Sequence, residues 1–98
     1  MLNLAIMQLE IITPEAIILS TEITQVSVPG VNGSFQMLDN HAAVVSLLAA
    51  GEVRFAGDNI TISEDFAAKF TQDGKDYVFT INGGTLEMNN NKAILLAD

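Results

Sequence analysis

A side-chain alternation of period two, interrupted at short intervals by turn residues, limits what this chain can become more than any other feature. In residues 7–11, Met7, Leu9 and Ile11 fall on one side and Gln8 and Glu10 on the other, the pattern of a half-buried strand. Thr13-Pro14-Glu15 stops it. Residues 16–19 form a short apolar run, and residues 22–28 place Thr24, Val26 and Val28 on one side until Pro29-Gly30 ends the strand. Gly33 opens a further strand with Phe35 and Met37. Residues 43–48 are apolar apart from Ser46, and so short a run suits a strand buried on both faces better than a helix. Residues 52–55 and 59–63, separated by Ala56-Gly57-Asp58, predict a hairpin. Ser63-Glu64-Asp65 has the form of a helix cap ahead of Phe66 and Phe70. Phe66, Ala68 and Phe70 also alternate, however, and Asp73-Gly74 is a strong hairpin signal, so the expectation there is a strand. Tyr77, Phe79 and Ile81 return antiparallel. Gly83-Gly84 breaks the run, and residues 85–88 pair with 93–96 across Asn89, Asn90 and Asn91, because Asn tolerates positive φ. The expected fold class is all-β: a β-sandwich or flattened barrel of about ten short, mostly antiparallel strands.

Composition then removes whole classes of function. A chain of 98 residues supports one core. Its 12 acidic residues face only four cations, Arg54, Lys69, Lys75 and Lys92, for a net charge of -8, so no basic patch exists for nucleic acid or anionic lipid. Without cysteine there is no disulfide, thiolate metal site or thiol nucleophile. No apolar run approaches the roughly 20 residues of a membrane-spanning helix, and the opening MLNLAIMQLEII lacks the basic start of a signal peptide, so no direct lipid insertion is expected. His41 is the sole histidine, and Asp39 two residues away is too close in sequence to orient it as a general base; no catalytic residue is expected. The carboxylates are dispersed, which gives no metal site. Gly30 and Gly33 precede a strand, not the helix that a phosphate cradle needs. A mean hydropathy of +0.35 in so small a chain leaves an interaction module with apolar surface to cover. The alternative is a small β-sandwich ligand- or glycan-binding module. It is poorly equipped, with no Trp and Tyr77 as its single Tyr.

Four strings carry more. LEIITPE, VPGVNGSFQMLDNHA, GEVRF and INGGTLEMNNNKAILLAD stand in the order and spacing of the β-sandwich domain of the epsilon subunit of rotary F-type ATP synthases, and the chain resembles that family from Met7 to Asp98. Residues 1–6 have no counterpart and are expected to be an N-terminal extension or an alternative start. The resemblance implies a non-catalytic central-stalk subunit that packs on gamma and rests on the c-ring, peripheral to the cytoplasmic face of the bacterial inner membrane. By position it implies that Val31, Asn32 and Ser34 face the c-ring, while Thr13, His41 and Ser46 face gamma. The acidity is expected to complement basic loops of the ring. Arg54 matches a commonly basic position. An isolated chain would expose both partner surfaces, a route to self-association. Many relatives continue past Leu-Ala-Asp into two helices that restrain ATP hydrolysis and in some bacteria bind ATP. This sequence ends at Asp98, so no nucleotide or other cofactor is expected. Thr21 stands where glycine is common, and Ala43 where proline commonly follows His-Ala; both are expected to change local turn rigidity.

Overall fold

The alternating sequence folds into ten strands and one 3₁₀ turn in a computed structural model that describes residues 7–31, 33–38 and 44–98, with backbone alone for residues 33–38 and 44. The strands are β1 (Met7–Ile12), β2 (Ile17–Ile23), β3 (Gln25–Gly30), β4 (Gly33–Leu38), β5 (Val44–Leu48), β6 (Gly51–Ala56), β7 (Thr71–Asp73), β8 (Asp76–Ile81), β9 (Gly84–Asn89) and β10 (Lys92–Ala97). They form one sheet in the order β2-β1-β10-β9-β5-β3-β6-β8-β7, with β4 on the other side of β3. All pairs are antiparallel except β1 with β10.

β3 is where this sheet becomes two layers. One edge pairs with β4 throughout; the other is divided, Gln25, Val26 and Ser27 pairing with β6 while Gly30 pairs with Leu48 of β5. The division coincides with Val28-Pro29, where proline removes a backbone donor. The inward side chains of the two layers meet: Met7, Leu9, Ile11, Leu86, Met88 and Leu95 of one against Val26, Val28, Val53, Phe55 and Phe79 of the other, all buried. Phe55 stacks on Tyr77 at 5.7 Å between ring centres and meets Phe70 edge-on at 5.9 Å, within the range for favourable aromatic pairs. The β9–β10 hairpin turns at Asn90 and Asn91, both at positive φ (50° and 61°), as the Asn run predicts.

Four local expectations need correction. Residues 59–63 are not a strand: β8 takes the edge of β6 that a hairpin would need, pairing Phe55 with Tyr77. Residues 66–70 are not a strand either. The 3₁₀ turn Glu64–Lys69 forms there, because the Ser63 hydroxyl accepts the Asp65 N–H at 3.2 Å and the turn closes with Phe70 N–H on Ala67 C=O at 3.2 Å. The segment read as residues 22–28 is divided at Thr24 between β2 and β3. Finally β5 is not buried on both faces: Val45 is 69% and Leu47 63% exposed.

Thr21 also differs from expectation, since it lies within β2 and not at a turn. It is the single buried polar residue among those described; its hydroxyl accepts the Thr61 N–H at 2.8 Å and donates to the Asn59 carbonyl at 3.4 Å. The crossover from β6 is thereby fastened over the outermost strand of its layer, and Ile60, Ile62 and Phe66 pack on the core behind it. Thr21→Val keeps the volume but orphans the Thr61 N–H. The expected loss is about 2 kcal/mol of unfolding free energy, measured by urea titration, with faster hydrogen exchange at Thr61.

Candidate interaction surface

Strand register decides what the outer face of the β5-β9-β10-β1-β2 layer presents. Leu47 stands opposite Thr85, Thr85 opposite Leu96, Leu96 opposite Ile12, and Ile12 opposite Ile17. One row therefore crosses five strands, and Leu47 (63%), Leu96 (48%) and Ile17 (58%) are large apolar side chains open to solvent. Ile17 joins this row because the register of β1 and β2 shifts between Ile11 and Ile12; Leu19 pairs with Ile11 and Ile17 with Ile12, so Ile18 is left over and turns inward, 2% exposed. A second row behind it reads Val45, Glu87, Ile94, Glu10 and Ser20. Beyond that the face is polar, with Asn89, Lys92, Gln8 and Glu22 in register. Lys92 pairs with Glu10 at 3.5 Å, and Gln8 donates to the Ser20 hydroxyl at 2.9 Å.

The residues singled out from sequence fall around this band to different degrees. Thr13 follows Ile12 at the end of the first row and is held in its turn from both sides: its N–H bonds the Ala16 carbonyl at 2.9 Å and its hydroxyl accepts the Glu15 N–H at 3.3 Å. Ser46 pairs with Leu86, so its half-buried side chain shares the inward side of β5, and its neighbours Val45 and Leu47 take the open side. Val31, 55% exposed, bonds through its N–H to the Leu47 carbonyl at 3.1 Å, which places the β3–β4 turn at the β5 end of the row. Ser34 pairs with Pro29 in β4. Asn32 and His41, with Asp39, Ala43 and residues 1–6, lie outside the described residues. The backbone around this turn is closed by a further hydrogen bond, from the Ala49 N–H to the Pro29 carbonyl at 2.7 Å. Leu47, Leu96 and Ile17 were missed by sequence reasoning, because an apolar residue covered by a partner has the same signature as one covered by its own core.

The opposite layer is chemically different. Arg54 on β6 gathers Glu52 (3.3 Å), Asp73 (2.5 Å) and Asp76 (3.2 Å), which pins β7 and β8 to β6. The hydrogen bond that the guanidinium donates to Asp73, then the one to Asp76, raises its pKa still further above the ordinary value. One guanidinium shared among three carboxylates acts here as a structural tie between strands. Among the described residues no three His, Asp or Glu side chains converge as a metal site would require. An open groove of about 750 Å³ lies near Thr24, Gly57, Asp58, Lys75 and Tyr77. Its one aromatic, the half-buried Tyr77, has one ring face taken by stacking on Phe55.

Residues 6–98 match the family described as ATP synthase, Delta/Epsilon chain, beta-sandwich domain. The chain belongs to this family. Among its relatives, the ATP synthase epsilon chain of Chlorobaculum tepidum is 37% identical over 90 residues, a match covering 92% of this chain and 86% of that one. The epsilon chain of Maridesulfovibrio salexigens is 34% identical over 90 residues, and there the match spans only 53% of the relative. A chain of the Euglena gracilis mitochondrial ATP synthase, solved as an OSCP/F1/c-ring assembly, superposes with a TM-score of 0.73 at 19% identity, covering 97% of this chain and 52% of its own. That likeness concerns the fold: the epsilon-type β-sandwich survives with four fifths of its side chains changed. The epsilon assignment also accounts for the four sequence strings at once.

Proposed function

We propose that this domain is the non-catalytic central-stalk element that joins the gamma subunit to the c-ring, so that ring rotation reaches the catalytic head. One observation carries the proposal: the exposed apolar band from Leu47 through Leu96 and Ile12 to Ile17, on one face only. Apolar side chains from four of five adjacent strands, aligned in one row and largely open to water, are costly unless a partner covers them. In an epsilon-type domain the partner assigned to this face is gamma. Thr13 at the end of the band fits that assignment, as does His41 by sequence position, whereas Ser46 turns inward and leaves its neighbours Val45 and Leu47 to make the contact. The β3–β4 turn, with Val31, Asn32 and Ser34, is assigned to the c-ring, where the net charge of -8 of this chain would complement basic loops. The assembly would lie at the cytoplasmic face of a bacterial inner membrane.

A torque-bearing element must also resist shear. Two layers locked over a packed core do so, because close-packed interiors have low compressibility. The test is co-expression with the gamma subunit of the same source, followed by ATPase assay of the reconstituted head with c-ring, with and without this chain. Co-purification with gamma and a gain in ring-coupled activity are expected. Failure of the chain to bind gamma would overturn the proposal.

A further inference from the structure

The apolar band has a shape that restricts what can lie on it. From Leu47 to Ile17 it crosses four strand spacings, roughly 19 Å at about 4.8 Å each. Along the strands only the first row is mainly apolar; the next, roughly 7 Å away, is mixed, with Val45 and Ile94 alternating with Glu87 and Glu10 and ending at Ser20, before Asn89, Lys92, Gln8 and Glu22 take over. An extended segment laid on this face would strand its N–H and C=O groups over apolar side chains, since the backbone groups of the layer beneath are already paired. A second sheet packs along the length of the strands and would need more than two apolar rows. A helix satisfies its own backbone, is about 10 Å wide, and carries an apolar stripe of about 100°.

Charge narrows the choice. Glu10 and Glu87 stand within the second row, Glu15 lies just past Thr13, and Asp98 follows Ala97. Among the described residues bordering the band, Lys92 is the cation, and it is engaged by Glu10. A second copy of the chain would set these carboxylates against their own equivalents.

We propose that the band seats a single amphipathic helix of the gamma partner, about 13 residues long, with Lys or Arg flanking its apolar stripe. This rests on gamma being the partner of this face, and the test separates the two claims. The full chain carrying the photoreactive residue p-benzoylphenylalanine at Leu47, Leu96 or Ile17, one site at a time, is irradiated with the purified gamma subunit of the same source and the adducts are mapped by mass spectrometry. All three sites should label one helical segment of gamma, with the Leu47 and Ile17 adducts about 13 residues apart and the Leu96 adduct between them. Charge reversal by Glu10→Lys with Glu87→Lys should weaken gamma binding about tenfold at low salt and much less at about 0.5 M salt. Adducts on separate segments or on a strand of gamma, with binding intact, overturn the helix but leave gamma as partner. Full binding without adducts at these sites moves the interface elsewhere, and unchanged affinity after charge reversal removes the basic flanks. Preferential labelling of a second copy, or absence of gamma binding, overturns both claims.

Discussion

Gly84→Ala is expected to remove about 4 kcal/mol of folding stability, a large share of what a domain of this size possesses. Gly84 opens β9 at φ 153° and lies between two partners, Leu48 on β5 and Ala97 on β10. A Cβ there would collide with the carbonyl oxygen of Leu96 and press on the Ala97 Cα at 3.1 Å. Both obstacles are backbone, so relief requires the β9–β10 register to open, and with it the layer that carries the apolar band. Gly74→Ala is the control. It has a positive φ of 65° but nothing within 4 Å of the new Cβ, and should cost only about 1 kcal/mol. Urea titration of both variants separates collision from conformation: Gly84→Ala should lower the midpoint by roughly 2–4 M, several times the shift of Gly74→Ala. Equal shifts would mean that close approach to β10 is not what requires glycine.

The second large effect concerns binding. Leu47→Asp combined with Leu96→Asp should leave the fold intact, because both side chains already face water, and should reduce affinity for gamma by 100-fold or more. Desolvation sets the size of the effect: each aspartate would have to shed water against an apolar surface without gaining a partner, at about 1–3 kcal/mol apiece. Glu52→Gln on the opposite layer supplies the comparison and should bind as the parent does. Surface plasmon resonance on immobilised gamma decides it. A double variant that binds with parental affinity would show that gamma does not cover this face.

Much of the fold was legible residue by residue. Alternation placed β1, β8, β9 and β10, and the Asn run marked the β9–β10 turn, since each signal depends only on local geometry. What failed depended on neighbours. Residues 59–63 alternate well enough for a strand, yet β8 has the stronger claim on β6. Phe66, Ala68 and Phe70 fit period two, and the Ser63 cap still prevailed because that segment must bridge layers, not extend one. Thr21 gave no local sign that its hydroxyl serves residues some forty positions away. The candidate surface was the least legible part: Leu47, Leu96 and Ile17 are ordinary strand residues until the register puts them side by side.

The parallel pairing of β1 with β10 also affects how the molecule is made. β1 leaves the ribosome long before β10, its neighbour on one side, as Gln8 opposite Lys92 makes plain. Until then the β1–β2 hairpin has one open edge and an uncovered apolar side, the combination that invites pairing with other nascent chains. The opposite layer is built from β3, β4, β6, β7 and β8 and can form earlier. Assembly of the sandwich therefore runs from the Arg54 side to the band, whose five-strand row is complete only when β10 docks between β1 and β9.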